Sequence, residues 1–411
     1  MVLPNLLQGL YRRRRRAVRL ATNVDVDGRA VRFLSGLRRR LGSGPTWIRI
    51  GRNDVLFVQE PADIRRVLGG SPEPFAPDPP TKRQGMVHFQ PDAVTISRGE
   101  RWHDRHAFNA AVLDEARGPH RLAERFRVVV AEEIEALTGV LDWPSFHACF
   151  GRIARRIIFG DGGREDKETS RLLAKLMDEA NAFPKDRSED LDRLMGRIHD
   201  HVVRAEEGSL VSLFRDAPSG PETRMDGQVP HWMFATHETL GANVFRALAL
   251  IVSHPAHLSK VRKDLAGGGS LSYLEACLQD AMRLYPTTPM LSREAASSIE
   301  WDGHIVPAGT VVLISNTFNH RDRERHEFAD RFSPEVWLDS GRADDWSFNH
   351  FSHGPQACTG GGLAILIGTT ALAALLSDHK VRLIWPDLDP QRPLPHMLDS
   401  FRIRFELGRE N

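Results

Sequence analysis

Cysteine is scarce in this chain of 411 residues: Cys149, Cys277 and Cys358 are its three, far apart and without a C-x-x-C pair. That spacing argues against a disulfide framework or a cysteine-rich zinc site, and it fits a reducing, cytoplasmic setting. Net charge is lacking too, at +1, so bulk electrostatics point neither to nucleic acid nor to a strongly acidic partner. No apolar run long enough for a secretory h-region or a membrane span follows the arginine-rich start, which argues against export and against a transmembrane anchor. No Pro/Gly/Ser-rich linker divides the sequence, so the expectation is a basic segment over 1–20 and one domain over 21–411. Five consecutive arginines, Arg12 to Arg16, mark that segment. A solvated basic terminus is expected, with peripheral contact to anionic lipid as the alternative.

What is present is mainly helical periodicity. Apolar residues recur every three or four positions over about 100–118, 120–138, 143–159, 168–182 and 188–206, which predicts amphipathic helices. The stretch 232–253 is apolar on most sides and predicts a helix through the interior, stopped by His254-Pro255. Strands are expected at 46–50, 54–58, 310–314, 380–384 and 401–405, the last alternating as a half-exposed strand does. The proline-rich segment 72–100 has no clear period and predicts a binding loop or lid.

Three runs carry chemistry. Cys358 sits in Phe351-Ser-His-Gly-Pro-Gln-Ala-Cys358-Thr-Gly360, just before an apolar helical stretch. A glycine-rich turn and a helix N-terminus lower a thiol pKa and suit a metal-ligating thiolate; a buried structural cysteine is the alternative. Phe234-Ala235-Thr236-His237-Glu238-Thr239-Leu240 sets an acid beside an alcohol inside the interior helix. Burying both is costly unless they bind water, a ligand or each other; a single wet stripe would also explain them. Asp280 and Arg283 share a helix face ahead of Pro286, a pair that on its own could be an ordinary surface salt bridge.

These runs resemble the cytochrome P-450 superfamily. The F-x-x-G-x-x-x-C-x-G spacing is similar to its haem-binding loop, 235–239 to its A-G-x-D/E-T motif, and Asp280-x-x-Arg283 to its E-x-x-R helix. Pro289-Met-Leu-Ser-Arg293, Ile305-Val-Pro-Ala-Gly-Thr, Asn319-His-Arg-Asp322 and Phe332-Ser-Pro334-Glu335-Val336-Trp337 follow in the family's order. Upstream, Trp102-His-Asp-Arg105-His106 resembles its W-x-x-x-R helix.

The resemblance implies a mainly α fold with small β-sheets, a triangular helical prism holding haem b between the interior helix and the helix after the cysteine. It implies Cys358 as iron ligand, with Trp102, His106, Arg293, Phe351, Gln356 and Gly360 around the cofactor. Glu238 and Thr239 take the place of the proton-relaying pair, and Arg293 that of a propionate-binding arginine. By position, Phe89, Phe183, Phe234, Ala235, Met290, Leu291 and Leu398 become pocket candidates, together suggesting an apolar substrate. The implied activity is insertion of one oxygen atom from O2, with electrons from a ferredoxin and ferredoxin reductase type of donor, since no flavin or iron–sulfur motif is present.

Four positions depart from the family pattern. Aspartate stands at 280 for glutamate, Val336 for the meander arginine, Gln356 for the arginine two residues before the cysteine, and His106 for the upstream arginine. The first two belong to one ion network in the family, where Arg331 or Arg342 would be the substitutes here. The last two lower the positive charge near the haem and leave Arg293 as its main anchor. Two other functions fit less of the pattern: a peroxide-using peroxygenase, against which the acid and alcohol at 238 and 239 speak, and a catalytically silent haem- or ligand-binding scaffold.

Overall fold

The computed structural model describes residues 2–409 apart from 52, 117 and 269. Most helices follow the predicted periods. They include α1 (Gly99–Val112), α2 (Ala123–Glu135) and α3 (Trp143–Phe159), then Lys167–Ala180 and Glu189–Arg204. The start of α3 matches prediction because Asp142 and Ser145 form a reciprocal capping box with Pro144 in the first turn. The end of α1 does not: Asp114 takes a left-handed φ of 52° and its carboxylate is held by Arg121, so the helix stops at Val112.

Three consecutive stretches, Val229–Phe234, Ala235–Leu240 and Gly241–Ser253, run on as the interior helix α4. The middle stretch is π-helical, a widened turn of the kind that concentrates at functional sites. Two more helices complete the centre, α5 (Ser272–Leu284) and α6 (Gly361–Asp378). Leu363, Ile367, Ala371, Leu372 and Leu375 are buried along α6, which packs against α2, α4 and α5. One apolar cluster links these helices with α3 and forms the main core.

Ten strands are described: β1 (Thr46–Ile50), β2 (Asn53–Val58), β3 (Phe75–Ala76), β4 (Gly139–Asp142), β5 (Met290–Ala295), β6 (Ile299–Trp301), β7 (His304–Val306), β8 (Val311–Ser315), β9 (His379–Trp385) and β10 (Arg404–Arg409). They make a five-stranded sheet in the order β1-β2-β8-β5-β3, a three-stranded sheet β4-β10-β9 and the β6-β7 hairpin. The strand predicted at 401–405 begins only at Arg404. Asp399 folds the preceding residues into a turn, its carboxylate accepting from the Phe401 N–H and its carbonyl from the Arg402 N–H, both at 3.0 Å. The apparent alternation there came from burial of Ile403 and Phe405 as the chain leaves that turn.

The arginine run is not uniformly solvated. Arg14, Arg15 and Arg16 are exposed, but Arg12 and Arg13 turn inward beside the buried Tyr11, whose ring meets Phe89 edge-on at 5.4 Å. The Tyr11 N–H donates to Asn181 Oδ1 at 3.0 Å, so this segment is fastened to the helical body. Among the described residues no helix is long and apolar enough to cross a membrane.

Candidate active site

The Cys358 loop is held by its own backbone. The Cys358 N–H donates to the Phe351 carbonyl at 2.8 Å, and the Gly361 N–H to the Cys358 carbonyl at 3.1 Å as α6 begins. Gly354 turns the loop with a φ of 73°, and a Cβ on it would lie 2.4 Å from the Leu68 carbonyl oxygen, so only glycine fits this approach to the helix Pro61–Gly69. Cys358 is densely surrounded by protein yet keeps accessible surface. Burial pushes its thiol pKa up, opposed by a hydrogen bond from the Gly360 N–H. By contrast Cys149 and Cys277 are buried in the apolar core, their thiols pushed up to about 12 and further by desolvation.

Residues Phe234 to Thr239 are all partly accessible, although the rest of α4 is largely buried, and α6 packs directly on this π-helical stretch. Glu238 does not stand alone. His147 of α3 donates from Nε2 to its Oε1 at 3.0 Å, and the Arg12 guanidinium lies 3.9 Å away. Burial pushes the Glu238 carboxyl up, but the His147 hydrogen bond and the neighbouring positive charges prevail and hold it down at about 2. It is therefore a carboxylate at neutral pH. His237 donates from Nε2 to the His147 carbonyl at 2.9 Å, and the two imidazoles lie 4.0 Å apart. Burial lowers the His237 pKa to about 4, so that ring is neutral. Gly151 of α3 makes room for it: a Cβ there would sit 2.9 Å from the ring.

The residues expected around the cofactor carry unfilled hydrogen-bonding capacity. His106, tilted against Trp102 at 4.8 Å, has a buried Nε2 without a partner, and both amide atoms of Gln356 are buried and unpartnered. Buried polar atoms of this kind are rare unless a missing group satisfies them. Arg293 on β5 donates from Nε to Ser71 Oγ at 2.9 Å and from Nη1 to the Ser292 carbonyl at 3.0 Å; burial lowers its pKa to about 10. An accessible thiol, a buried cation and orphaned polar atoms at these positions fit a cofactor with acidic substituents. Among the described residues His147, His237 and Glu238 also come within metal-ligating distance of one another, but each already has a partner within the protein.

Asp280 and Arg283 form no surface pair: both side chains are completely buried. Every N–H of the Arg283 guanidinium is used, on Asp280 and on the carbonyls of His320, Ala329 and Arg331. Asp280 in turn accepts the Ser333 N–H at 2.7 Å and the Trp337 indole N–H at 3.0 Å. The expected substitutes do not serve. Arg331 contributes its carbonyl, and Arg342 pairs with Asp345 over the Phe328 ring. Trp337 supplies the side-chain donor beside the shorter acid, a role that charge patterning could not reveal.

A cavity of about 480 Å³ opens beside Glu238 and Thr239. Of the pocket candidates, Phe234 and Leu398 line it. Phe89 is buried behind Phe234 at 6.0 Å, Met290 and Leu291 are partly accessible on β5, Ala235 is partly accessible on α4, and Phe183 accepts a hydrogen bond from Gln84 through its carbonyl. Arg12, Arg13, His147 and Arg246 were not anticipated on this wall, which is thus less apolar than expected. Arg246 did leave a signal, as the sole charge in the otherwise apolar 241–253 run.

A mainly helical domain with a cysteine loop at the head of a buried helix, which packs on a distorted helix carrying an acid–alcohol pair, has the parts of a haem-thiolate type of protein. The family model "Cytochrome P450" matches residues 156–399, and the chain belongs to that family. It is 23% identical to "Probable cytochrome P450 4s3" of Drosophila melanogaster, over 95% of this chain and 91% of that protein. It is 26% identical to "Cyclooctat-9-en-7-ol 5-monooxygenase" of Streptomyces melanosporofaciens, over 71% of this chain and 73% of that one. With "Cytochrome P450 4c3" of Drosophila melanogaster the identity is 29%, but the match covers 38% of this chain and about a third of that protein, 32%.

Proposed function

We propose that this chain is a haem b-dependent, cytoplasmic monooxygenase that inserts one atom of O2 into a small organic substrate. The other atom leaves as water, with two electrons supplied by a separate ferredoxin-type carrier. The single observation that carries this reading is Cys358, the one accessible thiol of the three, held in the turn that leads into α6. Bound through that sulfur, haem supplies the redox chemistry that activates dioxygen.

The chain's own residues do the rest. The Gly360 N–H stabilises negative charge on Cys358 sulfur. His106, Gln356, Trp102 and Arg293 would hold the acidic edge of the cofactor, which would satisfy the buried atoms of His106 and Gln356 that lack partners. Phe351 packs at the rim of the loop that fixes Cys358. Glu238, a carboxylate kept in hydrogen-bond contact with His147, receives protons and passes them through the Thr239 hydroxyl beside it. Residues 21–411 act as one domain, to which the basic segment is fastened through Tyr11.

Reduced protein exposed to carbon monoxide tests the assignment. The expected result is the Soret position of a thiolate-ligated haem, lost in Cys358→Ala. Retention of that band in the variant overturns the ligand assignment, and failure of the wild type to take up haem favours the silent scaffold.

A further inference from the structure

The cavity beside Thr239 is built for a charged guest. Arg12, Arg13, Arg15 and Arg246 line it, against two carboxylates, Asp27 and Glu238. Glu238 is engaged by His147 and Arg12, and Arg12 also pairs with Asp178 at 2.5 Å. Arg246 donates to the carbonyls of Leu398 and Tyr285 at 3.1 and 3.3 Å. Asp27 faces Arg13 and Arg246 but, being itself buried, has its pKa raised.

Arg13 remains unsatisfied. Its Nη1 is buried without a hydrogen-bond partner, and so are Tyr285 Oη, Thr22 Oγ1 and Ser400 Oγ on the same wall. A guanidinium and three hydroxyls, all capable of donating, thus belong to residues that line the one cavity. Buried donors in native proteins are nearly always paired, so this cluster marks the position of a missing acceptor. Glu238, Ala242 and Arg246 follow one another at four-residue spacing on the face of α4 that borders the cavity. Seven residues of helix separate Thr239 from Arg246, about 10 Å at 1.5 Å per residue. The same cavity is also lined by Trp143, Phe234, Leu398 and Phe401, which give it apolar surface.

Resting on the monooxygenase reading above, we infer that the substrate is an apolar molecule bearing one carboxylate, which Arg13 binds with the Tyr285 hydroxyl while the apolar body extends toward Thr239. A guanidinium and a hydroxyl match the two oxygens of a carboxylate, and desolvation by the surrounding protein strengthens the contact. Arg13 is a binding and positioning residue, which holds the acid while another part of the molecule is brought to the oxidising centre.

The test titrates octanoic, dodecanoic and hexadecanoic acids and the matching primary alcohols into the haem-loaded protein. Binding is followed by the Soret shift and independently by calorimetry. At least one acid should bind about tenfold to a hundredfold more tightly than its alcohol, as hydrogen bonding to a charged group implies. Arg13→Met should erase that preference and Arg13→Lys restore part of it, with unchanged circular dichroism melts showing that both variants fold. Equal affinity of every acid and alcohol, an acid preference that survives Arg13→Met, or no saturable acid binding overturns the inference and leaves ordered water as the partner of these atoms. Loss of the thiolate-type carbon monoxide band instead strikes the haem reading alone, because the calorimetric preference needs no iron.

Discussion

Trp337→Phe isolates the indole donor to Asp280, the shorter acid that stands where the family has glutamate. The substitution keeps an aromatic ring near Phe348 and His350 but removes the indole N–H that reaches Asp280 Oδ1 at 3.0 Å. Asp280 is completely buried, so the lost donor is not replaced by bulk water. A hydrogen bond to a buried charge contributes about 1.5–3 kcal/mol, and the destabilisation should fall in that range. Urea unfolding followed by far-ultraviolet circular dichroism measures it, read as a shift in midpoint at constant slope. Loss of ring contacts also contributes, about 0.5–1.5 kcal/mol, so the substitution is repeated in an Asp280→Asn background. There the charge is absent and the Trp337→Phe effect should shrink by at least about 1 kcal/mol. An effect equal in both backgrounds, or below about 0.5 kcal/mol in the wild type, refutes the claim that Trp337 completes the buried ion network.

Two further outcomes follow from the interior helix. Glu238 is held at about 2 in the folded chain, below its ordinary 4.5, so the unfolded chain takes up its proton first. The stability this contributes is complete above about pH 4.5, disappears as pH falls toward 2, and has a ceiling of about 3 kcal/mol. Glu238→Gln should therefore flatten the acid limb of a stability–pH curve, and an unchanged limb shows that His147 and Arg12 do not hold the carboxylate. Thr239→Ala should let electron consumption outrun product formation and release peroxide; intact coupling in that variant removes Thr239 from the proton route.

Much of the site was legible in local spacing. The Cys358 loop, the acid–alcohol pair and the Asp280-x-x-Arg283 helix are short motifs whose geometry is set within a turn or two of backbone, and α3 even starts where its capping residues say. The failures were of two kinds. The strand predicted at 401–405 was lost to a turn closed by Asp399, where local side-chain bonding overrode alternation. The wall of the cavity was missed because its charged residues come from distant parts of the chain.

From the sequence alone came the helical class, the order of the motifs and the identity of the thiol set before α6, because each depends on neighbours a few residues away. Tertiary structure decided the rest. It turned Arg12 and Arg13 from the solvated run toward Glu238 and Arg246, and brought Trp337 to Asp280 across 57 residues. It also made the charged cavity wall from residues that have no pattern in common. Contacts of this kind arise when buried polar groups must find partners wherever packing brings them, and no periodicity in the chain records that search.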